Sequence, residues 1–204
     1  MELALIAATA ELIEVGIASW ALEAESGDAY VVASFADGVL VAVIDGLGDG
    51  PDAARAARTA QAALRAGSGE AVELLLRRCH EALRRTRGAV VSLAVIEAAG
   101  RMTWAGVGNV EAAVIARRAS RPAKLLANRG GILGHRQPAV RADSLMLDPG
   151  DALVFATDGL RSGSIELAGP SGMPQATADR ILADGATGRD DALALVARYL
   201  GTQP

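Results

Sequence analysis

The chain has 204 residues, a formal net charge of -4, 51% hydrophobic residues and only 3% aromatic ones. That length predicts one ordinary domain spanning residues 1–204, with a core built from Ala, Val, Leu and Ile. The acidic balance argues against a nucleic-acid partner held by bulk electrostatics, and the single cysteine excludes an internal disulfide and fits a reducing, cytoplasmic setting.

The amino terminus, Met1 to Ile6, carries no basic region and soon meets Glu11 and Glu14, so it does not read as a signal peptide. No apolar run reaches membrane-spanning length, and no membrane partner is expected. Residues 3–8 and 11–21 read as strands, followed by the polar turn Glu23 to Asp28 and a strand over 29–35. Ala36-Asp37-Gly38 forms a tight loop into Val39–Ile44, an apolar, β-branched run expected to be buried on both faces. This run stops on Asp45, turns through Gly46-Leu47-Gly48-Asp49-Gly50 and opens a helix at Pro51, where a missing N–H does no harm. Helices are predicted over 51–66 and 69–86, with Ser68 capping the second. In that second helix Val72, Leu75, Leu76, Cys79 and Leu83 form an apolar stripe, and Glu73–Arg77 and Glu81–Arg85 are spaced as surface pairs.

The hydrophobic period then changes to two. Residues 89–97, 102–107, 110–117 and 124–126 read as a β-meander, and 128–134 as glycine-rich irregular chain. Asp148-Pro149-Gly150-Asp151 signals a turn before a strand over 152–156, which also ends in Asp-Gly, at Thr157-Asp158-Gly159. A loop over 161–173, a helix near 174–184 and a strand after Asp190-Asp191 complete the chain. The order suits an α/β sandwich of α-β-β-α type, two packed and mainly antiparallel sheets flanked by helices.

Asp28, Asp45, Asp158 and Asp190 all stand where strands meet turns. Carboxylates and carbonyls suit hard divalent cations, and the absence of a Cys or His cluster disfavours zinc. Each Asp-Gly also fits plain turn chemistry, so the residues by themselves leave a Mg²⁺ or Mn²⁺ cage and ordinary turns both open.

Taken as an ordered set, Ser26-Gly27-Asp28, Asp45-Gly46-Leu47-Gly48-Asp49-Gly50, Thr157-Asp158-Gly159-Leu160 and Asp190-Asp191-Ala192 resemble the motifs of the metal-dependent PPM-type Ser/Thr protein phosphatases. The match is to their compact bacterial SpoIIE/RsbX branch. Gly106-Val107-Gly108-Asn109-Val110-Glu111 and Gly130 to Gly134 are most similar to the RsbX group. The resemblance implies two Mn²⁺ or Mg²⁺ ions and hydrolysis of phosphoserine or phosphothreonine by metal-activated water. It implies that Asp45 bridges the ions, that Gly46 offers its carbonyl, that Asp158 and Asp190 complete one ligand set, and that Asp28 acts through water. Asp45 and Asp158 would be the catalytic pair. It further implies phosphorylated STAS-domain stressosome proteins as partners.

Two departures stand out. Ala21–Gly27 holds no arginine to grip phosphate, and His80 and His135 match no motif position for a general acid. A phospho-STAS binding pseudophosphatase is the alternative. A nucleotide-binding βαβ unit fits less well, because Pro51 replaces a fingerprint glycine and Asp45 would repel a pyrophosphate. Cys79 reads as packing, the Arg77–Arg87 cluster as a solvated face, Asp151 as turn, and Asp191 as support for its neighbour.

Overall fold

The computed structural model describes residues 12–118, 121–135, 139–169 and 172–201. Its architecture follows from the strand Gly38–Gly46, in which successive side chains point to opposite faces. Val39, Val41 and Val43 enter a core between two sheets, while Leu40, Ala42 and Ile44 pack beneath helices. A strand buried on both sides needs a layer over each face, and the α-β-β-α sandwich supplies both.

In chain order the strands are β1 (Ile13–Trp20), β2 (Asp28–Phe35), β3 (Gly38–Gly46), β4 (Ala89–Glu97), β5 (Arg101–Val107), β6 (Glu111–Ile115), β7 (Lys124–Leu125), β8 (Asp143–Met146), β9 (Ala152–Ala156) and β10 (Ala192–Tyr199). One sheet runs β2-β3-β4-β5-β8 and the other β1-β10-β9-β6-β7. Every pairing within them is antiparallel. Helices α1 (Gly50–Ala66) and α2 (Val72–Leu83) cover the first sheet through Ala56, Ala57, Ala60, Leu64, Leu75, Leu76 and Leu83. Helix α3 (Pro174–Gly185) covers the second through Ala178 and Ile181, against Val154, Ala156, Ala194 and Val196. The expected sandwich is therefore the observed one.

Local differences have local causes. The strand expected over residues 3–8 lies outside the described residues. Ser68 does not cap α2: residues 67–70 close a turn in which the Glu70 N–H donates to the Gly67 carbonyl, so the helix starts at Val72 after Ala71. It ends at Leu83 because the Thr86 hydroxyl and N–H both donate to the Leu83 carbonyl. Arg84, rather than Arg85, reaches Glu81, and Arg77 turns to the Glu73 carbonyl instead of its carboxylate. Two short elements carried too little periodicity to be foreseen: strand β8, and a single 3-10 turn at Ser164–Leu167 inside the predicted loop.

A candidate metal centre at one end of the sandwich

The antiparallel register places Asp28, which opens β2, directly opposite Asp45 near the end of β3. The Gly46 N–H donates to the Gly27 carbonyl at 2.9 Å, which holds the two chains together at this end. Asp158 follows β9 and Asp190 precedes β10, so the second sheet brings two more carboxylates to the same place. A hydrogen bond couples the sheets: the Thr157 hydroxyl donates to Asp28 Oδ2 at 2.7 Å and accepts from the Leu193 N–H at 2.8 Å.

The electrostatics report how closely these acids face one another. Burial pushes Asp45 up to about 8, reinforced by repulsion from Asp28, Asp158, Asp190 and Asp191. Burial also lifts Asp28 to about 7, opposed by the Thr157 hydroxyl and helped by Asp191, Asp158 and Asp190. Asp190 is raised as well, first by burial, against the pull of the Asp191 N–H, with Asp158, Asp191 and Asp49 adding repulsion. All four motif aspartates thus share one electrostatic neighbourhood. Among the described residues none of them forms an ion pair with a lysine, arginine or histidine.

Glycine is required twice here for steric reasons. A Cβ on Gly46 would lie 2.2 Å from the Ala53 carbonyl oxygen, and one on Gly159 would lie 1.9 Å from the Asp191 oxygen. Each Asp-Gly step therefore lets a neighbouring backbone carbonyl pack against the glycine itself.

Asp191 differs from its neighbour. It is buried, and its two oxygens accept the Leu22 N–H at 2.7 Å and the Gly27 N–H at 2.5 Å, so it ties the polar turn before β2 to the start of β10. Its supporting role, expected toward Asp190 alone, extends across the sandwich. Asp151, expected as a turn residue, is buried and accepts the Arg117 and Asp148 N–H groups, with Arg121 at 3.5 Å. Thr157 and Asn109 stand in motifs of the resemblance without a role assigned to them; the Asn109 amide donates to Asp158 Oδ2 at 2.7 Å.

The extra candidates are engaged by groups other than the four motif acids. Cys79 is buried, and burial pushes its thiol up to about 12, far from a nucleophilic thiolate at neutral pH. His80 Nδ1 accepts the Gly134 N–H, and His135 Nε2 lies 2.8 Å from the Arg87 carbonyl. Both histidines hold the glycine-rich loop. Arg78 is engaged by Glu70, Arg84 by Glu81 and Arg87 by Asp52.

The donor set suits a hard dication. It is all oxygen, it is partly desolvated, and its members repel one another without a cation to offset them. Among the described residues no three His, Cys, Asp or Glu side chains close on a common point tightly enough to hold a metal unaided. Mg²⁺-like ions commonly take only one or two carboxylates and keep several waters, so an open arrangement remains compatible with them.

The family model described as Stage II sporulation protein E (SpoIIE) matches residues 36–200. The chain belongs to the SpoIIE family. Its domain is therefore of the PPM, or PP2C, Ser/Thr phosphatase type, as the ordered aspartates implied. A solved structure described as "The bacterial stressosome: a modular system that has been adapted to control secondary messenger signaling" is 30% identical, with a TM-score of 0.83, covering 91% of this chain and 99% of that one. RsbX in complex with magnesium is 22% identical, with a TM-score of 0.82 and coverage of 93% and 96%. The catalytic domain of the phosphatase PstP in complex with 2 manganese ions is 17% identical, with a TM-score of 0.71 and coverage of 93% and 99%. Among curated proteins no sequence matches the chain. Magnesium or manganese is thus found in structures sharing this SpoIIE-family fold. No described helix is long and apolar enough to cross a membrane.

Proposed function

We propose that this SpoIIE-family domain is an active Mn²⁺- or Mg²⁺-dependent phosphatase that hydrolyses phosphoserine or phosphothreonine on STAS-domain stressosome proteins. The observation that carries the reading is the convergence of Asp28, Asp45, Asp158 and Asp190 from both sheets, with burial and mutual repulsion holding Asp45 near 8. Such a cluster is unfavourable until cations enter it. Asp45 would be the principal ligand, with the Gly46 carbonyl, Asp158 and Asp190 completing the protein's share and Asp28 contributing through water. Bound there, the ions acidify water and offset charge on the phosphoryl oxygens during in-line displacement. The protein's own work is to hold its carboxylates in place: Thr157 fixes one oxygen of Asp28, and Asp191 anchors the turn that presents it. Cys79 is too buried to act as nucleophile, which disfavours a phospho-enzyme on this thiol.

The structure described as a bacterial stressosome, at 30% identity, supports the choice of substrate. The test is hydrolysis of an aryl phosphate and then of phosphorylated STAS proteins. Activity should require Mn²⁺ or Mg²⁺, vanish with EDTA and vanish in Asp45→Asn. Robust turnover without metal would overturn the mechanism. Tight binding of phospho-STAS protein, with metal bound and no turnover, would establish the pseudophosphatase alternative instead.

A further inference from the structure

The segment Gly106-Val107-Gly108-Asn109-Val110-Glu111 connects β5 to β6 and stands beside the site without a role in the chemistry above. Three observations show that it is a rigid support. Its backbone is zipped to the neighbouring chain: the Gly108 N–H donates to the Arg129 carbonyl at 2.8 Å, and the Arg129 N–H to the Gly106 carbonyl at 2.9 Å. A polar pair beneath it fixes the next residue, since Asn128 Nδ2 donates to the Val110 carbonyl at 2.6 Å while buried Ser92 donates to Asn128 Oδ1 at 2.9 Å. Gly108 has φ +102°, and a Cβ there would lie 2.2 Å from the side chain of Val90, the residue paired with Asp45 across β3 and β4. The loop therefore rests on the strand register that also places Asp45.

From this support two side chains reach the segment after β9. The Asn109 amide donates to Asp158 Oδ2 at 2.7 Å, and Glu111 Oε1 accepts the Ser162 hydroxyl at 3.1 Å. The loop thus clamps the Asp158–Ser162 segment at both ends. The Asn109 nitrogen donates and the Asp158 oxygen accepts. The bond occupies one oxygen of Asp158 and leaves Oδ1 for another partner. A neutral amide does this without adding charge to a place where five aspartates already repel one another.

We infer that Asn109 is a positioning residue: it orients the Asp158 carboxylate for metal through the clamp built on Ser92 and Asn128. The inference rests on the metal-dependent reading above. A hydrogen-bonding partner of this kind is worth about 10- to 100-fold in metal affinity.

The experiment is calorimetric titration of the full chain with Mn²⁺ alone, alongside thermal unfolding of the metal-free protein. Asn109→Ala and the similarly sized Asn109→Leu should weaken Mn²⁺ binding by about 10- to 100-fold and leave the metal-free unfolding temperature unchanged. Asn109→Gln keeps the donor at an exposed position and should recover most of the affinity. The Mn²⁺ concentration for half-maximal aryl phosphate hydrolysis should rise in the same proportion, with the KM for the ester unchanged. If wild type binds Mn²⁺ and Asp45→Asn does not, yet Asn109→Ala and Asn109→Leu bind like wild type, the inference fails and the proposed function stands. An equal loss in Asn109→Gln, with a lowered unfolding temperature in all three, also overturns it, since a structural role would then account for the effect. If wild type itself binds no Mn²⁺, the functional reading falls and takes the inference with it.

Discussion

Asp151 and Asp45 are both acids withdrawn from solvent beside apolar strands, and they have opposite surroundings. Asp151 accepts two backbone N–H groups, from Arg117 and Asp148, and has Arg121 at 3.5 Å. Asp45 faces Asp28, Asp158, Asp190 and Asp191. The first carboxylate is satisfied within the protein and belongs to the fold. The second has no ion-pair partner among the described residues. Burial alone therefore says little about function; what decides is whether the fold has provided a partner for the charge.

The sharpest way to break this comparison is to neutralise each acid in turn. Asp45→Asn should lower metal-dependent phosphatase activity by at least ~10³-fold, equivalent to about 4 kcal/mol of transition-state stabilisation, in an aryl phosphate assay. The same substitution should raise the unfolding temperature of metal-free protein at pH 8, because it removes a repelled charge. Asp151→Ala should do the reverse: activity per folded molecule survives, while stability falls by about 2–4 kcal/mol in urea unfolding as buried donors lose their acceptor. A stability loss in Asp45→Asn as large as that in Asp151→Ala would erase the distinction.

Proton linkage sharpens it further. Asp45 and Asp28 hold their protons to about 8 and about 7 in the folded protein, against 3.8 when unperturbed. Above pH 3.8 the unfolded chain releases protons that the native state keeps, so this contribution to stability falls as pH rises and levels off above about 8. The advantage of metal-free Asp45→Asn over wild type in unfolding temperature should therefore grow between pH 5 and pH 8, and Mn²⁺ should reverse the order. A constant difference across that window would show that Asp45 is not held protonated.

Asp191 tests the middle ground, since it faces the cluster yet is satisfied by Leu22 and Gly27. Asp191→Ala should cost about 2 kcal/mol, a drop of roughly 4–8 °C in Tm, by leaving two buried N–H groups without an acceptor. The smallest effect is expected at the exposed pair of Arg58 and Glu25: Arg58→Ala should change stability by no more than about 0.5 kcal/mol.

The contrast between these acids was only half legible along the chain. Asp45 and Asp158 announced themselves because each ends an apolar strand and precedes glycine, a pattern that turn chemistry alone seldom repeats twice. Asp151 looked like a turn residue because its cationic partner, Arg121, lies 30 positions away and its donors come from separate segments. Residue type alone does not tell Asp190 from Asp191; the resemblance gives metal to the first, and the second reads as support for it. Their surroundings differ because only Asp191 meets the N–H groups of Leu22 and Gly27, while Asp190 Oδ1 accepts the Asp191 N–H. Asn109 belongs to a quoted motif but has no partner legible in the sequence, its acceptor lying 49 positions downstream. The start of α2 was missed because a turn over residues 67–70 displaced the cap at Ser68.

The amino-acid order alone determined the layered architecture and singled out Asp45 and Asp158, because strand periodicity and Asp-Gly steps are local properties of the chain. Asp28 and Asp190, which no glycine follows, entered through the ordered motif set. Only the folded arrangement decided which acids are left without a partner, since that depends on donors and charges brought together from distant segments. Hydrophobic pattern specifies how a strand is buried; the electrostatic environment of a carboxylate exists only once several strands have met.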